Sequence, residues 1–245
     1  MNKPVSYEKL KDGLTNLIVE SDTHYLVTGS KLDIIVKENQ SLELLVFNKE
    51  CKDNNLNIRL EKNASVRIYN IAITHCDTLL KEDVYLEKQG SSCEIISVLL
   101  AHKDADLNSD INIYHPVGHT TSTFENYGIA KDNAKITLNN NATISAGAKR
   151  ATVKQKAKGL TLSKNAIIKA MPNLYIDEYD VVANHAASIG SISKEDLFYL
   201  MSRGLSKEDA TSLVVIGFIK PIIDNIADEA LKEDIYKAFI ENLTK

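Results

Sequence analysis

The chain has 245 residues and a formal charge of −4, with 29 basic and 33 acidic side chains. That length supplies a hydrophobic core without disulfides or metal, and the interspersed charge lacks the Lys/Arg-rich block that nucleic acid or an anionic membrane requires. No apolar run nears the ~20 residues of a membrane span, no signal-peptide core opens the chain, and three cysteines without zinc-knuckle spacing read as free thiols in a reduced, cytoplasmic setting.

Residues 1–20 stand apart as a short N-terminal segment, with 5–18 a candidate short helix. A β core is predicted over 21–190. Within it, short apolar runs alternate with polar Asn/Asp/Lys/Gly clusters, as at Leu42-Glu43-Leu44-Leu45-Val46-Phe47, Leu56-Asn57-Ile58-Arg59-Leu60 and Val66-Arg67-Ile68. A degenerate Asn-Ala repeat runs through it: Asn63-Ala64, Asn133-Ala134, Asn141-Ala142 and Asn165-Ala166. Asn39 precedes Asn63 by the interval that separates Asn141 from Asn165. Such a spacing suits one coil of a β-solenoid with Asn at each corner. Asn tolerates left-handed backbone angles, and the following Ala fits the inside of a turn. A β-sandwich with Asn-rich turns is the competing architecture.

After Gly190 the pattern becomes helical, and 191–245 is predicted as a separate C-terminal unit. Ser193-Lys194-Glu195-Asp196 is a helix-start signal, and Gly204 a left-handed stop. Ser206 opens a second helix, with Ala210, Leu213, Val214, Gly217 and Phe218 on one buried face and Pro221 ending or kinking it. A third spans about 228–243, with Leu231, Ile235, Ala238 and Leu243 as its stripe. The first is too short to stand alone, so the three pack together or on the β core.

Common catalytic signatures are missing: no phosphate-binding G-x-x-x-x-G-K-[ST], no G-x-G-x-x-G, no G-x-S-x-G. His115 and His119 have the spacing of a helical metal pair, but Pro116 and Gly118 between them favour a turn with partly exposed imidazoles. His75-Cys76-Asp77 collects three ligand types, yet strand neighbours point to opposite faces, which favours a structural role. His185, followed by small residues, is approachable by another chain and chemically able to ligate a borderline metal such as iron; a structural histidine is the alternative.

The stretch Asp180-Val181-Val182-Ala183-Asn184-His185-Ala186-Ala187-Ser188-Ile189-Gly190, followed by Leu197-Phe198-Tyr199-Leu200-Met201-Ser202-Arg203-Gly204, resembles the C-terminal signature of SufB/SufD proteins. That signature reads D-V-x-x-S-H-G-A-T-x-G, then L-F-Y-L-x-S-R-G. Pro172-Asn173-Leu174-Tyr175-Ile176 is similar to the P-x-L-x-I strand before it, and Ala210, Leu213 and Gly217-Phe218 fit the helix after it. Asn184, Ala186 and Ser188 depart from the pattern but keep it small or polar. No cysteine follows Cys93, and Leu160-Thr161-Leu162-Ser163 offers none where SufB members carry one. The chain therefore resembles SufD more than SufB, in a short form with a reduced N-terminal portion.

The resemblance implies a mainly β fold: a right-handed parallel β-helix with a small C-terminal α-helical domain. It implies a non-catalytic scaffold for iron–sulfur cluster assembly. Such a scaffold pairs through its β-helix with an identical or SufB-like subunit and docks a SufC-type ABC ATPase through its helices. His185 becomes a ligand of the nascent Fe–S cluster at the subunit interface, and Tyr199, Arg203 and Gly204 become partner-binding residues. Phe198 is expected to be core. A flavin, the iron and sulfur donors, and any role for Cys51, Cys76 and Cys93 stay open. Two other readings remain: a degenerate SufD-like partner of the ATPase without a cluster ligand, and a β-solenoid carbohydrate-active protein. The absence of Trp and of a close acidic pair speaks against the second.

Overall fold

A computed structural model describes residues 6–10, 14–28, 31–49 and 51–243. Among the described residues, fifteen strands wind into a parallel β-solenoid with two strands per coil, and two of the three C-terminal helices cover one of its faces. One sheet has the order β1 (Glu8–Lys9), β3 (Thr23–Val27), β5 (Ser41–Asn48), β7 (Ser65–Thr74), β9 (Ser92–Ala101), β11 (Thr121–Ala130), β13 (Thr152–Thr161) and β15 (Val182–Ser191). The facing sheet runs β2 (Asn16–Val19), β4 (Lys31–Val36), β6 (Asn54–Leu60), β8 (Thr78–Leu86), β10 (Asp106–His115), β12 (Lys135–Ile144) and β14 (Ile167–Ile176). The candidate helix over 5–18 is not formed by its described residues, which are extended in β1 and β2. Leu17 and Val19 pack on the solenoid interior, so tertiary burial overrides a weak helical pattern.

The corners explain the Asn-Ala repeat. Asn39 and Asn63 have φ of 60° and 55°, and the Asn63 Nδ2 donates to the Asn39 Oδ1 at 2.9 Å. Asn165 donates in the same way to Asn133 at 3.0 Å. Ala64, Ala134 and Ala166 are buried inside their corners as expected. Asn141 is different: it lies mid-strand in β12, accepting from Asn173 at 2.8 Å and donating to Asn112 at 2.9 Å. The coil also lengthens along the chain. Ser41 pairs with Ser65, Ser65 with Ser92, Ser92 with Thr121 and Thr121 with Thr152, so successive coils span 24, 27, 29 and 31 residues. A fixed-period repeat is therefore invisible in the sequence.

The interior has two apolar halves. One is centred on Leu44, Ile68, Ile95 and Phe124, the other on Ala72, Leu99, Leu107 and Ile136. Between them runs a buried polar file, with Asn70, Ser97 and Asn126 on one sheet and Glu82 and Asn140 on the other. The outer face of the first sheet is covered as well. Leu45, Phe47, Tyr69, Ile71, Val98 and Ile129 form a single cluster with residues of two helices. This is why β5, β7, β9 and β11 end in continuous buried runs, the pattern of strands covered on both sides.

The helices are α1 (Lys194–Ser202), α2 (Lys207–Ile223) and α3 (Glu229–Leu243). Ser193 and Ser206 cap α1 and α2, each accepting from the backbone N–H three residues on. The buried face of α2 is Ala210, Val215, Ile219, Ile222 and Ile223; Leu213 and Gly217, expected inside, are exposed. Pro221 neither ends nor precedes the end of α2 by much: it sits in the last turn, where its missing N–H costs one hydrogen bond. α3 buries Ile235, Ala238, Phe239 and Leu243. Among the described residues no helix is long and apolar enough to cross a membrane.

Candidate functional site

His185 lies near the middle of β15, the last strand of its sheet, paired with Gln155 of β13. Following the register back, Gln155 pairs with Phe124, Phe124 with Ile95, Ile95 with Ile68, and Ile68 with Leu44. Every earlier member of this column is buried in the solenoid interior. His185 thus occupies an inward-facing position, yet it is exposed because, among the described residues, no further coil covers it. With Phe124, Gln155, Asn184 and the Lys154 and Lys156 stems it lines a shallow depression of about 280 Å3. Gln155 is buried beneath it, donating from Nε2 to the carbonyls of Asn140 and Asn173 at 3.3 and 3.2 Å. Its Oε1 has no hydrogen-bond partner among the described residues.

The same end of the solenoid exposes apolar side chains. Ile189 and Ile176 continue the inward columns of Gly159 and Ile144, and Met171, Tyr175 and Val182 are exposed on the same two strands. β14 and β15 also carry one unpaired ladder edge each.

The second candidate surface is α1, which buries no residue. Phe198, expected in the core, is instead 75% exposed, on a helix that packs chiefly along α2 and buries none of its own residues. Tyr199 and Met201 are exposed beside it, as is Leu213 of α2. The Arg203 guanidinium lies 5.3 Å from the Tyr199 ring centroid and donates to its hydroxyl at 3.3 Å. Gly204 has φ +95° with open space around it, so the left-handed backbone rather than crowding selects glycine.

Other predicted ligand groups separate. His115 closes β10 and is wholly buried, held between the Thr120 Oγ1 at 2.7 Å and the Ser122 Oγ at 2.9 Å, not partly exposed as expected. Burial pushes its pKa down to about 4. His119 is exposed in the turn at φ +57°, so the two rings do not converge. His75-Cys76-Asp77 is a turn rather than a strand, and Cys76 is joined to Cys51 by a disulfide; these two are not free thiols. The spacing of successive corners, which brings them together, is not readable from the sequence. Cys93 is a free, buried thiol whose pKa is raised by burial.

A parallel two-sheet solenoid, open at its C-terminal end and flanked by a helical unit with an exposed aromatic face, defines the class of protein. The chain matches the SUF system FeS cluster assembly, SufBD core domain, over residues 11–218, and it belongs to that family. It is 33% identical over 159 residues to the iron–sulfur cluster assembly protein SufD of Bacillus subtilis (strain 168), a match covering 65% of this chain and 36% of the relative. The SufB protein of the same organism is 28% identical over 144 residues, covering 59% and 31%. A SufBD family protein of Mycobacterium leprae, ML0593, is 24% identical over 229 residues, covering 91% of this chain and 26% of the relative. The matches span about a third or less of the length of these relatives.

Proposed function

We propose that the chain is a SufD-like, non-catalytic scaffold subunit of a cytoplasmic iron–sulfur cluster assembly complex. The observation that carries this reading is the open last coil. His185, Ile176 and Ile189 hold interior positions in a solenoid that simply stops, with two strand edges unpaired. A second β-solenoid, identical or SufB-like, would supply the missing layer by edge pairing and apolar burial. At that seam the His185 imidazole would face the partner chain as a neutral nitrogen donor for iron of the nascent cluster, the cargo of the complex. Gln155 underneath fixes the floor, and the small Ala186 and Ala187 leave room.

The helical unit supplies the second contact. The exposed Phe198, Tyr199, Met201 and Leu213 with the stacked Arg203 have the aromatic-plus-Arg composition of a docking hot spot, and the SufC-type ABC ATPase is the partner the reading assigns to it. Gly204 sets the turn that presents Arg203. Family membership displaces the carbohydrate-active alternative; the variant in which the chain pairs but contributes no ligand differs only in whether His185 binds iron.

Co-purification with the ATPase and the SufB-like subunit of the same organism, followed by native mass, tests the assembly. A complex with two ATPases and two solenoid subunits is expected; failure to retain either partner would overturn the reading. Anaerobic reconstitution of His185→Ala in that complex is expected to leave the assembly intact and cluster loading lost. Unchanged iron and sulfide content would remove His185 from the site and leave the purely structural variant.

A further inference from the structure

The corner that follows β5, β7 and β9 carries a second group of ligand-type side chains. Cys51 lies in the turn after β5, His75 and Cys76 in the turn after β7, and His102 begins the turn after β9. Parallel stacking of three successive coils superposes these turns, although Cys51, His75 and His102 are 24 to 51 positions apart in sequence. The Cys51 and Cys76 Cα atoms are 5.8 Å apart across their disulfide. The His75 Nδ1 is 3.8 Å from the Cys51 Sγ, and the two sulfurs and a His75 nitrogen all lie within 4.8 Å of one another.

A tetrahedral zinc ion with bonds of about 2.0–2.3 Å sets its ligand atoms roughly 3.3–3.8 Å apart. Opening the disulfide would therefore bring the three donors to binding separation with little movement of the corner. The backbone there is held independently: the Thr74 hydroxyl donates to the Cys76 carbonyl at 2.9 Å, and the His102 N–H donates to the Thr74 carbonyl at 3.1 Å.

His102 offers the fourth position. It is 4% exposed, and its Nε2 has no hydrogen-bond partner among the described residues. A buried nitrogen left unpaired carries a desolvation cost that a bound ion would remove. Its ring centroid is 5.8 Å from that of His75, close to the roughly 5 Å expected for two imidazoles on one tetrahedral ion. The exposed His75 and partly exposed cysteines give an ion a way in from solvent.

We propose that Cys51, His75, Cys76 and His102 form a redox-gated site for one zinc-class divalent cation, of which the disulfide is the oxidised, metal-free form. A dithiol reductant would pass two hydrogens to the disulfide, leaving two protein thiols and its own sulfurs joined. Binding of M2+ then displaces the two thiol protons. The S2N2 donor set selects a thiophilic or borderline ion and disfavours Mg2+ or Ca2+. The corner is three or more strand spacings from β15, ~14 Å at the least, so it stands or falls apart from the open end.

The test is Co2+ titration of the reduced full-length chain under anaerobic conditions, with Cys93→Ala as background so that only the corner thiols remain. One Co2+ per chain is expected, with thiolate charge-transfer absorption, tetrahedral d–d bands and displacement by Zn2+. Cys51→Ser and Cys76→Ser should lose the charge-transfer band, His102→Ala should weaken binding by about tenfold or more, and the oxidised chain should bind none. In the unsubstituted chain, Zn2+ should protect Cys51 and Cys76 from iodoacetamide, a readout that needs no variant to fold. Reduced thiols that bind no Co2+ and gain no protection would overturn the site and leave a structural cross-link. A cobalt spectrum that survives Cys76→Ser would overturn it as well.

Discussion

At the scale of single residues, the solenoid interior holds two buried groups with opposed pH behaviour. The Glu82 carboxyl is fully buried, with no hydrogen-bond partner for either oxygen among the described residues. Burial pushes its pKa up to about 8; Asn70 across the interior offsets this only in part, and Asp110 and Asp83 add to the rise. The folded chain therefore keeps a proton that the unfolded chain releases near pH 4.5, so Glu82 removes stability as pH rises from there toward 8. His115 does the reverse. Its depressed pKa of about 4 means the unfolded chain gains a proton first as pH falls below 6.5, and stability is lost down to pH 4. Between pH 4.5 and 6.5 the two slopes oppose each other; above 6.5 Glu82 acts alone. Urea denaturation is expected to show a loss on the order of 2 kcal/mol between pH 6.5 and 8, and Glu82→Gln is expected to flatten it. An unaltered slope in the variant would mean that Glu82 is already ionised in the folded chain.

At the scale of elements, coil stacking depends on corners without side chains. A Cβ on Gly118 would sit 2.3 Å from the Lys149 carbonyl oxygen of the next coil, a backbone atom that cannot swing aside. Gly118→Ala is expected to cost roughly 2–4 kcal/mol, lowering Tm by about 5–12 °C. Gly204→Ala strains only the α1 cap and should cost about 1 kcal/mol. Equal melting temperatures for the two variants would show that this corner relaxes. The contrast also marks what was legible in the sequence. Asn-Ala corners, strand runs and two serine helix caps are local signals, and they led to a solenoid with a helical unit. Where tertiary contacts decide, local pattern is a poor guide: Leu213 faces solvent because the sheet meets α2 on another face, and Phe198 is exposed on a helix that buries none of its residues. His185 stands out in the sequence only through motif resemblance; its place in an interior column needs the register. The Cys51, His75, Cys76 and His102 corner needs the uneven coil lengths, which no local signal carries.

At the scale of the molecule, the solenoid is asymmetric, and the proposed pairing rests on that asymmetry. Its first sheet is shielded by α2 and α3, whose residues complete one cluster with Tyr69, Val98 and Ile129. Among the described residues, its C-terminal end has no such cover. Stacked coils gain stability from their neighbours, and a terminal coil usually needs a polar cap to stay soluble alone. Here Ile176 and Ile189 continue interior columns, and each is exposed beside an unpaired strand edge. Burying both on a partner is worth roughly 1–2 kcal/mol apiece, before the edge hydrogen bonds are counted. Because these side chains make only partial contact within the chain, charging them should disturb the fold far less than the pairing. Ile176→Lys with Ile189→Lys is therefore expected to keep thermal stability within about 1 kcal/mol of the unsubstituted chain. The same variant should lose pairing, with itself or with the SufB-like subunit, in light-scattering mass measurements at micromolar concentration. Arg203→Ala, on the helical unit, should leave that pairing untouched. A paired mass that survives both lysines would show that the open coil is not the seam.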